Sequence, residues 1–334
     1  MKFLVAAAVL VAALAILYVL GPREPVDLTV SVDRDAIAAD PVAYLAEQEG
    51  FVDGIRDGLQ KEIVYAFPNS RAKTPLALVY VHGFSASKNE LRPVPDRVAE
   101  ELEANLFYMR LAGHGRDGDA MGEATVNAWI NDLAEAIAIS EELGERIVLI
   151  GTSTGASLAT LAATEPGLRE RIDGIVQVSP NFALTNWKAR ILDFPFAEQI
   201  LSVAEGPERS FEPVNAMHAA NWTSRYPTRS LLPMAALTRE VRRRPLEAIR
   251  VPTLFVFDEA DTVVNHEATR RAAARWGSAY GTPAHIELLH GTDDPYRHVI
   301  AGDSLSPSTT ERAVEIITPW ISALGAQASA SVAE

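Results

Sequence analysis

The chain has 334 residues, which suits one large domain or two domains of ordinary size. Its 44 acidic residues outnumber the 30 lysines and arginines, and the formal net charge of −14 argues against a nucleic-acid partner, because binding phosphate needs a basic face. The sequence contains no cysteine, which excludes disulfides, thiolate catalysis and cysteine-ligated metal ions. Nothing in the sequence implies a metal ion or an organic cofactor.

The N-terminal residues predict a membrane helix. Residues 3–20 carry no charge, and a helix of that length spans roughly 27 Å, close to the hydrocarbon thickness of a bilayer. Signal-peptide cleavage after Ala15 would leave an apolar stretch at the new terminus, so we favour an uncleaved anchor over residues 1–22. Lys2 is expected to keep the N-terminus in the cytoplasm and the rest of the chain outside it. Secretion after cleavage is the alternative.

Residues 23–60 are predicted to form an N-terminal extension. Alternating apolar residues suggest an edge strand over 26–32. A short helix is expected over Pro41–Glu49, with Asp40 as its cap and Pro41 in its first turn.

From residue 61 onwards, apolar runs of strand length alternate with helical patterns. Residues 76–81 are continuously apolar, as expected of a parallel strand buried on both faces. The other predicted strands are 63–67, 105–111, 147–150, 174–178, 253–257 and 285–289, and the predicted helices are 90–102, 127–143, 156–163, 266–276 and 309–324. This alternation predicts an α/β fold, with a mostly parallel central sheet and helices on both faces, formed by residues 61–180 and 251–325.

Residues 181–250 interrupt the alternation. They contain short amphipathic segments, several prolines and the basic run Arg242–Arg244. A structureless loop of this length is improbable in a compact domain, so we expect a helical lid inserted over the C-terminal edge of the sheet. Residues 326–334 are small and polar and are expected to be a disordered tail.

The centre of the predicted sheet carries the pattern of a nucleophilic serine. Apolar residues run into Gly151-Thr152-Ser153-Thr154-Gly155, and small helix-forming residues follow, which indicates a strand, a sharp turn and a helix. Such a turn strains the serine backbone, which only small neighbours tolerate, and the helix N-terminus supplies partial positive charge. Ser153 is therefore a candidate nucleophile. The alternative is a glycine-rich turn without chemistry.

A serine hydroxyl needs a base to take its proton, usually a histidine that is oriented by a carboxylate. His298 lies between the last predicted strand and the last helix, where a loop can bring the imidazole over the turn. His290, at the end of that strand, is the second choice.

Two carboxylates follow the predicted strand 253–257. Asp258 and Asp261 both lie where ligands gather in open α/β sheets. We favour Asp261, because Val263 and Val264 follow it and can fix its position, and Asp258 is the alternative. Asp293 and Asp294 are expected to be solvated loop charges.

Acyl transfer also needs donors for the developing oxyanion. The backbone N–H of Thr154, at the helix start, is one candidate. The N–H of Phe84 is the second, since Gly83 before it allows close approach of the backbone. His82 and His114 are expected to be structural and to bond to the backbone.

Together these residues resemble the α/β-hydrolase superfamily, and within it the lidded monoacylglycerol-lipase and serine-aminopeptidase-like branch. The resemblance covers residues 60 to 325 and rests on Val81–Phe84, Leu111–Gly115, Gly151–Gly155, Asp261–Val264 and His298–Ile300. It implies that Ser153 is the nucleophile, His298 the base and Asp261 the orienting acid, with Phe84 and Thr154 forming the oxyanion hole.

The resemblance implies a serine hydrolase that cleaves carboxylic esters through an acyl-enzyme, with lipid-derived esters such as monoacylglycerols or lysophospholipids as candidate substrates. Thr154 stands where prolyl-peptidase members often carry tryptophan, which favours esters over peptides. Two alternatives remain. The same triad is compatible with hydrolysis of amides or carbon–carbon bonds, and the fold is compatible with a non-catalytic scaffold at the membrane.

Overall fold

The computed structural model describes residues 2–277 and 284–332. Nine strands lie within these residues: β1 (Glu62–Val64), β2 (Thr74–Val81), β3 (Asn105–Tyr108), β4 (Gly144–Thr152), β5 (Gly174–Val178), β6 (Glu208–Ser210), β7 (Arg225–Pro227), β8 (Thr253–Phe257) and β9 (His285–Leu288). β6 and β7 form a small antiparallel sheet of their own.

The other strands form one sheet in the order β1-β3-β2-β4-β5-β8-β9. β1 runs antiparallel to β3, and every other neighbouring pair is parallel. The predicted mostly parallel sheet is therefore confirmed. β5 and β8 pair directly, so residues 181–250 leave the sheet and return to it at neighbouring strands.

Helices cover both faces of this sheet. The α-helices of the described residues are α1 (Lys2–Leu20), α2 (Arg34–Ala39), α3 (Pro41–Gly50), α4 (Val94–Glu101), α5 (Gly118–Met121), α6 (Val126–Leu143), α7 (Thr154–Thr164), α8 (Pro166–Arg169), α9 (Ala197–Ala204), α10 (Ala216–Asn221), α11 (Leu231–Arg243), α12 (His266–Arg275) and α13 (Thr310–Val332). Shorter 3₁₀ turns lie at Lys88–Glu90, Trp187–Asp193, Thr228–Ser230, Leu246–Ala248 and Pro307–Thr309.

The side chains of β2 show how the core divides. Val79 and Val81 pack on the face covered by α6, α7, α11 and α12, whereas Leu78 and Tyr80 pack on the face covered by α4 and α13. All four are fully buried, as the continuous apolar run predicted. Helices and apolar side chains thus cover both faces of the sheet, and the candidate site residues after β4 and β8 lie at its carboxyl edge.

The predicted edge strand over residues 26–32 was wrong. This stretch lies along α6, where the N–H of Ser31 donates to Asn131 Oδ1 (2.7 Å) and Asn127 Nδ2 donates to the carbonyl of Thr29 (2.9 Å). Because side chains of α6 satisfy these backbone groups, the segment has no need of a partner strand.

Two helix boundaries also differ from the prediction. The helix expected over 90–102 begins only at Val94, because Pro93 lacks an N–H and disfavours a helical conformation in the residue before it. The last helix continues to Val332, although we expected disorder from residue 326. Alanine, the best helix former, recurs through this stretch. Residues 333–334 of the expected tail lie outside the described part.

The insertion contains α9, α10 and α11, together with the β6–β7 sheet, which was not predicted. α11 packs on the core through Met234, Leu237 and Val241. The N–H of Thr185 donates to the carbonyl of Val263 (2.9 Å), so the start of the insertion is tied to the loop after β8.

α1 is long and apolar enough to cross a membrane, and its described side chains are exposed. A signal sequence near the N-terminus would have the same length and composition, so α1 is a candidate for either. The C-terminal end of α1 and the chain directly after it contact the insertion. The N–H of Phe196 donates to the carbonyl of Pro22 (2.9 Å), and the rings of Tyr18 and Phe194 meet edge to face with centroids 5.7 Å apart.

Candidate active site

Ser153 lies on the sharp turn between β4 and α7. Its backbone has φ 53° and ψ −112°, a conformation that a residue with a side chain rarely adopts. The strained turn is held from both sides, because the N–H of Ser153 donates to the carbonyl of Val178 (2.9 Å) and its carbonyl accepts from Asn181 N–H (3.2 Å). The side chain is thereby aimed above the carboxyl edge of the sheet.

The glycines that flank Ser153 are required by close packing. A Cβ at Gly155 would overlap the carbonyl oxygen of Val81 at the end of β2. A Cβ at Gly151 would lie 2.8 Å from Cα of Ala156. α7 can therefore approach the sheet this closely only with glycine at both positions.

The structure brings Ser153, His298 and Asp261 together, as their positions in the sequence predicted. His298 Nε2 lies 3.0 Å from Ser153 Oγ, and His298 Nδ1 lies 2.8 Å from Asp261 Oδ2. Because a carboxylate can only accept, Nδ1 carries the proton and Nε2 is left to accept from the serine hydroxyl. The geometry is that of a proton relay.

Asp261 is held firmly in this arrangement. Its other oxygen, Oδ1, accepts hydrogen bonds from the backbone N–H groups of Val263 (2.7 Å) and Val264 (2.9 Å). Its side chain is 1% exposed, so these bonds stand in for the water that the carboxylate loses on burial.

The surroundings of His298 favour its charged form. Burial by itself would lower the pKa of the imidazole, but the charge and hydrogen bond of Asp261 outweigh it, with smaller contributions from Glu90 and Asp294. The pKa of His298 is therefore raised above its ordinary value. A base of this kind holds the proton that it takes from a serine more strongly than a free imidazole does.

The alternative histidine and acid pair with each other. His290 Nδ1 lies 3.1 Å from Asp258 Oδ1, and the His290 side chain is 58% exposed. Neither residue makes a hydrogen bond to Ser153 in the described part of the chain.

The expectation that Asp294 is a solvated charge was wrong. It is 1% exposed, and its Oδ2 accepts from the backbone N–H groups of His298 and Val299, each at 2.9 Å. These two donors compensate for burial and fix the backbone at His298. Asp293, by contrast, is exposed and accepts from the N–H of Ser308 (2.9 Å).

The loop after β2 lies beside the nucleophile. A Cβ placed on Gly83 would lie 3.2 Å from Cβ of Ser153, so only glycine fits there without displacement. No hydrogen bond from the N–H of Phe84 or of Thr154 to another group is found among the described residues. Both predicted donors are therefore available to a substrate oxygen.

Glu90 also belongs to the site, although the sequence pattern places it only at the start of a helix. Its Oε2 accepts from the N–H of Gly83 (2.7 Å) and the hydroxyl of Tyr80 (2.9 Å), and the residue is 2% exposed. Burial raises the pKa of Glu90 to about 7, against the opposing effects of the Gly83 N–H, the charge of His298 and the Tyr80 hydroxyl. Nothing in the sequence pattern distinguishes this glutamate from a surface residue.

His82 and His114 bond to the backbone, as predicted. His82 Nδ1 lies 2.9 Å from the carbonyl of Gly83, and its Nε2 accepts from the N–H of Leu111 (3.1 Å). His114 Nδ1 lies 3.2 Å from the carbonyl of Ala112. Burial lowers the pKa of both rings, so they join the loops that surround the site as neutral groups. Within the described residues no cluster of histidine and acidic side chains is arranged to hold a metal ion.

A model of the alpha/beta hydrolase family matches residues 78–304. The thermostable monoacylglycerol lipase of Bacillus sp. (strain H-257) is 25% identical to the chain over 198 residues, which cover 57% of this chain and 72% of that protein.

Solved structures resemble the chain over most of its length. A soluble variant of monoglyceride lipase from Saccharomyces cerevisiae, in complex with a substrate analogue, matches with a TM-score of 0.60 and 14% identity, over 79% of this chain and 91% of that one. The monoacylglycerol lipase of Paleococcus ferrophilus matches with a TM-score of 0.55 and 17% identity, over 80% and 99%. At these identities the likeness shows the fold alone.

The family match spans more than half of the chain and includes Ser153, Asp261 and His298. Together with the relative from Bacillus sp., it supports a hydrolase of lipase-like or esterase-like type. The chain therefore belongs to the alpha/beta hydrolase family.

Proposed function

We propose that the chain is a membrane-anchored serine hydrolase that cleaves carboxylic esters of lipids through an acyl-enzyme. The observation that carries the proposal is the relay from Ser153 Oγ to His298 Nε2 (3.0 Å) and from His298 Nδ1 to Asp261 Oδ2 (2.8 Å). Three groups that are far apart in the sequence rarely meet in this order and at these distances without a catalytic use.

The reaction follows from the roles of these groups. Ser153 Oγ attacks the ester carbonyl while His298 Nε2 takes the hydroxyl proton, and Asp261 stabilises the imidazolium that forms. The N–H groups of Phe84 and Thr154 bind the developing oxyanion. His298 then protonates the departing alcohol, and a water molecule activated by the same imidazole hydrolyses the acyl-enzyme and frees the acid.

The lipid class is inferred from the relatives, which are named as monoacylglycerol or monoglyceride lipases. We assign residues 1–22 as the anchor, 23–60 as an extension, 61–180 and 251–325 as the hydrolase core, and 181–250 as the lid. The catalytic domain is assigned to the extracytoplasmic side, because the positive Lys2 precedes the anchor.

The test is ester turnover with p-nitrophenyl esters of increasing chain length, together with labelling by a fluorophosphonate probe. Ser153→Ala should lose labelling, and its turnover should fall by on the order of 10³-fold or more. His298→Ala should lose turnover to a similar extent, whereas the matched variant His290→Ala should keep it.

Three outcomes would count against the proposal. Equal turnover by the wild type and Ser153→Ala would remove the nucleophile from the mechanism. Folded protein that neither reacts with the probe nor cleaves an ester would favour the scaffold alternative. Faster cleavage of p-nitroanilides than of esters with the same acyl group would reject the ester assignment while keeping the triad.

A further inference from the structure

The insertion exposes an unusual number of large apolar side chains in one segment. The exposed members are Trp187 (75%), Phe194 (40%), Phe196 (37%), Ile200 (36%) and Val203 (88%). The surfaces of soluble proteins usually carry such residues singly. A group of them in one segment marks a surface that binds a protein, a ligand or a membrane.

α9 shows that this exposure is organised. Its inner face buries Ala197 and Leu201 against the rest of the insertion. Ile200 and Val203, three residues apart and therefore on one side of the helix, point outwards. The outer face of α9 also exposes the polar residues Glu198, Gln199 and Ser202, so Ile200 and Val203 form an apolar edge that can reach lipid while the polar residues stay in water.

The same segment meets the chain where α1 ends. The N–H of Phe196 donates to the carbonyl of Pro22 (2.9 Å), and Arg23 Nε donates to the carbonyl of Asp193 (3.3 Å). The rings of Tyr18 and Phe194 meet edge to face. Phe196, which contacts the chain just after α1, adopts φ 59°, a strained conformation for an aromatic residue. If α1 spans a bilayer, this segment is at the bilayer surface.

We propose that Trp187, Phe194, Phe196, Ile200 and Val203 form a membrane face that rests in the interfacial region of the bilayer spanned by α1. The proposal rests on the anchoring that is part of the proposed function, but not on the chemistry of Ser153. Tryptophan favours this region because its ring is apolar and its N–H is polar, and phenylalanine is common on the apolar face of segments that lie in the interface.

A cavity lies beside the membrane face. It has a volume of about 560 Å³, and Trp187 and Asp193 line it together with Asn181. Asn181 is next to the nucleophile, since its N–H donates to the carbonyl of Ser153 (3.2 Å). None of Ser153, Asp261 and His298 lines this cavity, so it is linked to the serine turn through Asn181.

The test uses the full chain carrying Ser153→Ala, so that lipid is not hydrolysed, reconstituted into phosphatidylcholine vesicles with bromine atoms near the glycerol. Bromine quenches tryptophan emission at short range. Trp129, Trp222 and Trp276 are buried, whereas Trp187 is the most exposed tryptophan of the described residues. We expect brominated lipid to quench part of the emission, and Trp187→Phe to lose that quenched part.

A second set of variants maps the face in the Trp187→Phe background. Phe196→Trp and Val203→Trp should restore quenching. Phe51→Trp and Phe67→Trp replace exposed aromatic residues elsewhere and should not restore it. Because each variant adds one tryptophan at an exposed position, loss of folding is not expected to cause the difference.

Two results would overturn the proposal. One is the same bromine quenching with and without Trp187, combined with no quenching at 196 or 203. The other is quenching at 51 and 67 as strong as at 203, which would mean that the whole domain contacts lipid without a defined face. Fluorophosphonate labelling of the parent chain with Ser153 intact reports the proposed activity separately, so the failure of one proposal is distinguishable from the failure of the other.

Discussion

The carboxylate of Glu90 lies 2.7 Å from the backbone nitrogen of Gly83, the residue before the proposed oxyanion donor Phe84. The same oxygen accepts from the hydroxyl of Tyr80, which in turn lies 3.1 Å from Thr152 Oγ1, one residue before the nucleophile. A buried side chain thus joins the loop of one oxyanion donor to the strand that carries Ser153. We infer that Glu90 is a positioning residue for this loop.

Replacing Glu90 should therefore lower kcat more than it changes KM. Glu90→Leu leaves the Gly83 N–H buried without an acceptor and frees the loop, and we expect a loss in kcat of about 10²-fold, comparable to loss of an oxyanion donor. Glu90→Gln keeps an acceptor oxygen and should recover most of kcat. Because the charge of Glu90 helps to raise the pKa of His298, Glu90→Gln should also move the acid limb of the pH–rate profile to lower pH. Folded Glu90→Leu with unchanged kcat would contradict the role.

The pH dependence of kcat/KM should report the raised pKa of His298. The imidazole must be neutral to accept the serine proton, so activity should fall as the pH drops through a value above the ordinary 6.5. Asp261→Asn removes the charge that raises this pKa and should shift the limb downwards, while lowering kcat by about 10³- to 10⁴-fold. Asp258→Asn is the matched control, and we expect little change in either the position of the acid limb or kcat. An acid limb that stays in place in Asp261→Asn would argue against the assignment of the acid.

The turn at Ser153 should not tolerate a methyl group at Gly155. Gly155→Ala would drive its Cβ into the carbonyl of Val81, so α7 must move away from the sheet and carry the turn with it. We expect loss of probe labelling and a lower melting temperature. Gly167→Ala, in α8, meets nothing within 4 Å and should be neutral or slightly stabilising. Labelling of Gly155→Ala at the wild-type rate would show that the close approach is dispensable.

Lys61 should contribute strongly to stability, because it is the buried cation between two carboxylates. Its side chain is 7% exposed, its Nζ lies 3.6 Å from Asp132 Oδ1, and it also pairs with Glu135. Lys61→Met leaves those carboxylates buried without a counter-charge, which should cost about 3–5 kcal/mol in the free energy of unfolding measured with urea. Lys73→Met, at an exposed position, is the control.

The cost of Lys61→Met should depend on pH. Burial raises the pKa of Asp132 to about 6, and Lys61 is the main group that opposes this rise. Without Lys61 the folded-state pKa of Asp132 should rise further above its unfolded value of 3.8, so the folded state binds the proton more tightly. Stability of the variant should then decrease as the pH rises from about 4 through this folded pKa, and the deficit should be smallest in acid. A deficit that does not vary with pH would contradict this explanation.

The sequence predicted the sheet and the turn at Ser153 because their signals are local. The continuous apolar run 76–81 is typical of a buried strand. The glycines on either side of Ser153 have a spacing that few other turns require. Glu90 and Asp294 gave no such signal. Both are carboxylates whose burial depends on backbone N–H groups of the loops that contain or precede them, and the sequence does not show where those N–H groups point. The strand predicted over 26–32 was wrong for a related reason. The side-chain amides of Asn127 and Asn131, about a hundred residues away, form hydrogen bonds with its backbone.

Residues 181–250 leave the sheet after β5 and rejoin it at β8, and these two strands are paired from Ile175 to Val178 with Thr253 to Val256. The ladder of strands is therefore complete without anything that the intervening seventy residues contribute. A segment joined in this way can be lengthened, shortened or replaced without breaking the pairing of β5 with β8. Ser153, Asp261 and His298 all lie outside this segment and can therefore keep their places while it changes.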